Sequence, residues 1–316
     1  MTRTAQHPIP SGFNEATTAR EVLDGVDLRG RTAIVTGGYA GVGRETTRAL
    51  TNAGATVVVA GRSLEKGREA LKDIPGVELE LLDLIDPKSV DAFAERFVAS
   101  KRPLHLLINN AGIMAAPLMR DARGVESQLA TNHVGHFQLT LRLWPALLAA
   151  QGARVVALSS RGHARSAFDF DDPQFDRRPY DKWSAYGQSK TANALFATAL
   201  DVRGEAHNIR AFSAHPGAIA TTDLMRSMSK EEQAAAIERA KGGTFKSEEQ
   251  GAATSVWCAT SSQLIGMGGV YCEDVDIARA VAADDPGLIG VRPWAMDADA
   301  AERLWRVTED WTGLSI

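Results

Sequence analysis

A chain of 316 residues with 44% hydrophobic content can bury a large core and stands near the upper end of single-domain size. Its formal net charge of −4, with both signs spread along the chain, leaves no basic block of the kind that nucleic acid or an anionic membrane would call for. Pro8, Pro10 and Gly12 interrupt the first thirty residues, so neither a signal peptide nor a membrane anchor is expected. Cys258 and Cys272, both in apolar contexts, read as buried free thiols of a reducing, cytoplasmic compartment.

Thr18-Ala-Arg-Glu21 has the spacing of a capping box and predicts a short N-terminal helix. Thr32-Ala33-Ile34-Val35 is apolar and β-branched, which predicts a buried strand. Directly after it comes Thr36-Gly37-Gly38-Tyr39-Ala40-Gly41-Val42-Gly43, and beyond Gly43 the pattern turns helical through Leu50 and closes at Gly54. A strand, a glycine turn and a helix make a phosphate site. Gly37 permits the turn, Gly41 lets a pyrophosphate approach the backbone, Gly43 allows close packing, and the helix start offers unpaired N–H groups. A glycine turn without a ligand is the bland alternative.

The next strand, Thr56 to Ala60, ends in Gly61-Arg62-Ser63, where a dinucleotide site usually carries an acid for the adenosine ribose. Here there is no carboxylate. A glycine leaves room and Arg62 is able to pair with a 2′-phosphate, which favours NADP(H) while leaving NAD(H) open; Arg44 is a second, weaker candidate, and a solvated loop arginine remains the other reading. Further along, Ser63 and Asp86-Pro87 open helices, Leu104–Ile108, Arg154–Leu158 and Arg210–His215 read as strands, and Ser247-Glu248-Glu249-Gln250 is a capping box for a helix to Ala259. This alternation predicts α/β architecture: one Rossmann-type domain over 1–316, a doubly wound parallel sheet with helices on both faces, its core at about 27–272 and a tail at 273–316.

Tyr186-Gly-Gln-Ser-Lys190 opens an alanine-rich stretch, and four-residue spacing puts both side chains on one helical face. A phenol titrates near ~10, so acid–base work at neutral pH asks for a cation such as Lys190 beside it. His133 and His136, three apart, have no third partner in view for a metal, and no metal is expected. The segment Arg161 to Trp183 mixes charge with Phe168, Phe170, Phe175, Tyr180 and Trp183 and reads as a surface loop or a wall of a substrate pocket. Thr222–Lys246, with a helix at Lys230–Ala240, has the look of an exposed lid. Trp294, Trp305 and Trp311 crowd a tail whose helical stretch is Ala298–Trp311; it covers the core, lines the pocket or joins two subunits of a homo-oligomer.

In order along the chain, the glycine turn at Thr36–Gly43, Leu82-Asp83-Leu84, Asn109-Asn110-Ala111-Gly112, Asn132, Ser159-Ser160, Tyr186-xxx-Lys190 and Pro216-Gly217-xxx-Thr221 form a set. With it the chain resembles the short-chain dehydrogenase/reductase family from about Asp27 to Cys272. Thr17–Gly30 and the long gap between Ser160 and Tyr186 are similar to the branch of retinol dehydrogenases and the WW-domain oxidoreductase, with many bacterial relatives, although no counterpart of the retinol enzymes' membrane anchor is expected here.

The resemblance implies that Tyr186 gives or takes a proton, Lys190 lowers its pKa and holds the nicotinamide ribose, Ser160 holds the carbonyl oxygen and Asn132 anchors a water. It also implies a cofactor-contacting set. Gly37, Tyr39, Gly41, Val42 and Gly43 come from the first turn and Arg62 from the second. Asp83 would meet the adenine edge beside Leu84, Asn109 the adenosine ribose beside Ala111 and Gly112, and Thr221 the carboxamide after Pro216, Gly217 and Ile219. The implied activity is hydride transfer between NADP(H) and a small-molecule alcohol, ketone or aldehyde, with a hydrophobic and bulky substrate suggested by the aromatic insert and tail. A cofactor-binding sensor or scaffold is the alternative from another class, set against the intact Ser160, Tyr186 and Lys190. An extended-branch sugar-nucleotide enzyme is disfavoured by the glycine spacing.

Overall fold

The computed structural model describes residues 4–220, 223–225, 227–240, 245–287 and 289–316. In chain order the elements are α1 (Ala19–Val22), β1 (Thr32–Thr36), α2 (Gly41–Asn52), β2 (Thr56–Gly61), α3 (Leu64–Ala70), β3 (Glu78–Leu81), α4 (Pro87–Ala99), β4 (Leu106–Asn109), α5 (Ser127–Leu129), α6 (Gly135–Arg142), α7 (Trp144–Ala149) and β5 (Ala153–Leu158). There follow α8 (Lys182–Gly204), β6 (Ile209–His215), α9 (Lys230–Ala240), α10 (Glu248–Thr260), β7 (Val270–Glu273), β8 (Asp276–Ile277) and α11 (Ala298–Thr312). The strands form one sheet in the order β3-β2-β1-β4-β5-β6-β7-β8. All neighbours run parallel except β7 and β8.

Side chains alternate across the sheet with period two, and each face meets its own core. Ile34, Val58, Leu107 and Val155 pack toward α4, α6 and α8, whereas Val35, Val57, Ile108 and Phe212 pack toward α2 and α10. The predicted caps are in place. Thr18 and Glu21 make both halves of one capping box, Ser247 and Gln250 make both halves of another, and Asp86 accepts from the Lys88 N–H ahead of Pro87.

Both sheet edges are dressed. On β3, Glu78 pairs with Arg102 at 2.7 Å and Glu80 with Arg96 at 3.0 Å. Beside β7, the Gln6 amide donates to the Tyr271 and Ala278 carbonyls at 2.8 and 2.6 Å and accepts from the Tyr271 N–H at 2.9 Å.

The C-terminal helix α11 covers the α8 side of the core. Trp305 is 2% exposed, with its ring stacked on Phe196 at 6.0 Å, edge-on to Phe137 at 4.8 Å and under the Arg203 guanidinium at 4.1 Å. Cys258 and Cys272 are buried free thiols. No described helix is long and apolar enough to cross a membrane.

Candidate active site

The carboxyl ends of β1, β2, β4, β5 and β6 open into one cleft of about 320 Å³. That is where an open parallel sheet gathers ligands. The glycine turn forms its floor. Gly37 has φ +64, and a Cβ there would stand 3.1 Å from the Ala111 Cβ. A Cβ on Gly43 would come within 2.5 Å of the Gly37 carbonyl oxygen, so α2 begins hard against its own turn.

Thr36 fastens this turn to the loop after β4. Its hydroxyl accepts the N–H groups of Asn110 and Ala111 at 2.9 and 3.0 Å. With both acceptor positions filled, it donates to His136 Nε2 at 2.8 Å, which leaves the proton on Nδ1 to reach the Asn132 carbonyl at 2.9 Å. In the sequence Thr36 stands only as the first residue of the glycine turn and His136 only as a candidate metal ligand; the brace between them was not anticipated. The signal available was a polar residue in an otherwise apolar strand end, and that pattern is too common to act on.

Tyr39, Gly41, Val42, Arg62, Asp83, Leu84, Ala111, Gly112, Pro216, Gly217 and Ile219 line the cleft together with Gly37 and Gly43. Thr221 lies outside the described residues. Asn109 departs from its expected place. Its side chain is buried and turned inward, with Nδ2 donating to Thr140 Oγ1 at 3.2 Å, while the next residue, Asn110, lines the cleft and ties back to the Thr36 carbonyl at 2.8 Å. The cause is strand alternation: Asn109 is the last residue of β4 and follows the pleat into the core.

The space expected over Gly61 is occupied by Tyr39, whose ring would lie 2.1 Å from a Cβ at that position. Arg62 is exposed, and among the described residues no carboxylate pairs with it. Arg44 is committed elsewhere: it holds Asp73 at 2.8 Å and the Ala70 carbonyl at 2.8 Å, and it does not line the cleft. Lys66, one turn into α3, lines the cleft and adds a cation that the sequence reading passed over.

At the other end of the cleft stand Ser160, Tyr186 and Lys190. Asp181 caps α8 by accepting from the Ser184 N–H at 2.8 Å, which starts the helix so that Tyr186 and Lys190 follow one turn apart. The Lys190 ammonium lies 5.7 Å from the Tyr186 ring centre and donates to the Leu158 carbonyl at 2.9 Å. Ser160 is brought to the phenol by two glycines. A Cβ on Gly162 would sit 2.7 Å from the Tyr186 ring and 3.4 Å from Ser160 Oγ, and one on Gly187 would be 2.8 Å from the Gly162 carbonyl.

Burial pushes the Tyr186 phenol up to about 12, opposed by the Ser160 hydroxyl, and holds the Lys190 ammonium down to about 8. In the protein's own groups it is the Ser160 hydroxyl, and not Lys190 as expected from the sequence, that opposes the burial of the phenol. Asn132 sits in a π-helical turn, Ala130–Val134, between α5 and α6. Its Oδ1 accepts from the Ile113 N–H at 2.8 Å, and its Nδ2 donates to the Ile113 carbonyl at 3.0 Å and to Ser189 Oγ at 2.9 Å. Asn132, expected to anchor a water, therefore uses its side chain to clamp the loop after β4 to α8, and its carbonyl accepts from His136. His133 points the opposite way, to Thr308 Oγ1 of α11 at 3.0 Å, so the two histidines do not converge on one point.

The aromatic insert turns inward. Phe168 is buried against Phe170, and the Tyr180 hydroxyl, with one proton to share, lies 2.9 Å from the Ala116 carbonyl and 3.0 Å from Glu126 Oε1. None of Phe168, Phe170, Phe175, Tyr180 or Trp183 lines the cleft; Ile113, Leu158 and Leu224 do.

The family model described as short chain dehydrogenase matches residues 31–233. A probable oxidoreductase of Streptomyces lividans is 44% identical over 297 residues, covering 90% of this chain and 98% of that protein. Retinol dehydrogenase 12 of Mus musculus is 36% identical over 295 residues, covering 92% of this chain and 88% of its own. Among solved structures, a putative uncharacterized protein from Mycobacterium Paratuberculosis superimposes with a TM-score of 0.73 at 32% identity, covering 95% of this chain and 98% of its own. A putative NAD(P) dependent gluconate 5-dehydrogenase from Beutenbergia cavernae with bound NADP superimposes with a TM-score of 0.62 at 26% identity, covering 79% and 96%.

Proposed function

The chain belongs to the short-chain dehydrogenase family and is an oxidoreductase of that family; from that premise we propose that it moves a hydride between NADP(H) and an alcohol or carbonyl substrate, with Tyr186 as general acid and base. The observation that carries the reading is the convergence of Ser160, Tyr186 and Lys190 at one end of the cleft whose other end is the glycine turn.

The cleft's residues fit a dinucleotide. A Cβ on Gly43 would strike the Gly37 carbonyl and one on Gly37 would crowd Ala111, and α2 presents its N-terminus beside them. Arg62 and Lys66 face the same end without a paired carboxylate among the described residues, which supports a cofactor carrying a 2′-phosphate. Support comes also from the NADP held by the Beutenbergia relative. Asn110, Gly112 and Asp83 would flank the adenosine half, and Pro216, Gly217 and Ile219 the nicotinamide half.

When bound, the nicotinamide would supply or accept the hydride at the carbonyl carbon. As negative charge grows on the carbonyl oxygen, the Tyr186 hydroxyl donates its proton there and Ser160 Oγ–H holds the same oxygen in line. Lys190, fixed by the Leu158 carbonyl, sets a positive charge one helical turn from the phenol and stabilises the phenolate left behind. In the reverse direction the phenolate takes the alcohol proton. Ile113, Leu158 and Leu224 support an apolar body for the substrate, in place of the insert's aromatic rings.

Tyr186→Phe is the test. The variant should lose NADPH oxidation on a panel of ketones and aldehydes while its NADPH affinity stays within about twofold, since a positioned acid contributes typically ~10²–10⁴ in rate. A variant that keeps substantial turnover sinks the assigned acid. Tight NADPH binding by the wild type with no oxidation on any substrate would instead mark a sensor.

A further inference from the structure

Ser160 is the last residue before a short 3-10 turn, Arg161–Arg165, and its hydroxyl accepts the Gly162 N–H at 3.0 Å. His163 closes that turn. Its backbone N–H donates to the Ser160 carbonyl at 3.0 Å, and its ring Nδ1–H donates to the same carbonyl at 2.7 Å. Since a carbonyl only accepts, Nδ1 carries the proton; Nε2 is then an acceptor and takes the Arg292 N–H at 3.1 Å. The His163 carbonyl accepts the Trp294 indole N–H at 3.0 Å, and Thr191, the residue after Lys190, holds the end of the turn with a hydroxyl whose one proton is shared between the Ser166 carbonyl at 2.7 Å and that of His163 at 3.2 Å. The imidazole is 1% exposed and packs against Tyr271 with ring centres 4.9 Å apart. Burial holds it down to about 4, so this tautomer persists across the neutral range.

One residue thus joins the serine loop, the helix of Tyr186 and Lys190, and the segment around Arg292–Trp294, which lies beyond the span that the family model matches. The joint is stiff. Gly162 already touches the Tyr186 ring and Gly187 touches Gly162, so a shift of the turn either drives backbone into the phenol or opens a gap between phenol and serine. Few side chains could replace it: a neutral imidazole donates at one edge and accepts at the other across a fixed, planar reach.

We propose that His163 is a positioning residue for Ser160, fixing its hydroxyl in register with Tyr186 and Lys190 and making the Arg292–Trp294 segment part of the catalytic frame. This rests on the oxidoreductase reading above. A misplacement of about 1 Å in a reacting constellation costs on the order of 100-fold, so His163→Ala should lower kcat roughly 10- to 100-fold with NADPH affinity within about twofold of wild type.

The deciding measurement is a double-mutant cycle on the full-length enzyme with NADPH and a ketone that the wild type reduces. Ser160→Ala and His163→Ala should be strongly non-additive, the histidine substitution costing little once the serine hydroxyl is gone. His163→Asn, whose amide nitrogen takes the place of Nδ1, should recover part of kcat, and Trp294→Phe should lower kcat in the same sense by less. Hydrogen exchange at Gly162 and His163 should quicken in His163→Ala. Full additivity in the cycle, or kcat at wild-type level in a folded His163→Ala, overturns the proposal while leaving the function reading intact. A wild type inert on every carbonyl, like Tyr186→Phe, overturns the function reading and the positioning role with it, and exchange then reports only whether the brace itself holds.

Discussion

Arg62 is the residue on which the proposed preference for NADP(H) turns, and replacing it with alanine gives a quantitative test. The nearby arginines are already engaged: Arg44 holds Asp73 at 2.8 Å, and Arg48 holds Asp73 at 2.9 Å and Glu45 at 3.2 Å. Arg62 is free of such a partner among the described residues and lines the cleft with Lys66, at the end proposed for the adenosine half. A charge-assisted hydrogen bond contributes ~1.5–3 kcal/mol net, and about 1.4 kcal/mol is tenfold in affinity. Because Arg62 is exposed, salt screening moves the expected effect to the lower end, and Lys66 retains part of the attraction. Arg62→Ala should therefore weaken NADPH roughly tenfold near 0.1 M salt, and less at higher salt, while NADH changes by less than about twofold. Fluorescence titration of both nucleotides at two ionic strengths reads this directly. Equal losses for NADPH and NADH, or a loss indifferent to salt, would refute the assignment.

The remaining expectations concern proton binding and packing. Lys190 is held down to about 8, so carbonyl reduction should be level at neutral pH and fall as pH rises through that value, when the ammonium beside Tyr186 is lost; a kcat profile flat to pH 10 would contradict this. Stability moves the other way: an unfolded lysine keeps its proton to ~10.4, so between about 8 and that value the unfolded chain binds more protons and this residue's contribution to stability rises with pH, which thermal melts of wild type against Lys190→Met would read. Trp305→Ala empties the site between Phe137 and Phe196 and should cost about 3–5 kcal/mol, or roughly 5–8 °C in Tm for a chain of this size. A Cβ on Gly135 would stand 2.2 Å from the Leu84 carbonyl oxygen, so Gly135→Ala should lose ~1–3 kcal/mol and, by pushing the loop of Asp83 and Leu84, weaken nucleotide binding; unchanged melting and affinity would show that this backbone yields freely.

Local chemistry made the frame legible in advance. A capping box needs only its own four residues, so Thr18–Glu21 and Ser247–Gln250 announced helix starts that the structure keeps. Strands buried on both faces read as continuous β-branched runs, and glycine spacing marked the turn where α2 meets β1. Illegible was whatever depends on which way a side chain turns once distant segments meet. Asn109 and Asn110 look alike in sequence, and only the pleat of β4 separates an inward amide from one that lines the cleft. His136, His163 and Thr36 acquire their roles from partners 100, 129 and 74 residues away, and no local pattern carries that information. The insert's aromatic rings misled for the same reason, because burial against Ala116, Glu126 and one another was as compatible with their composition as a pocket wall.

The two rims of the sheet bear on what this protein avoids. A parallel sheet ends in bare peptide groups, ready to recruit a stray strand from another molecule. On one rim alternate glutamates, each neutralised by an arginine, would have to be stripped of their partners before a newcomer could dock. On the other a glutamine amide near the N-terminus impersonates a peptide unit and fills the ladder without prolonging it. Trimming those first residues, or exchanging Gln6 for leucine, would uncover the ladder of β7, and the damage should surface as sticky, fibre-prone material while oxidoreductase turnover in the remaining dispersed molecules goes on unharmed.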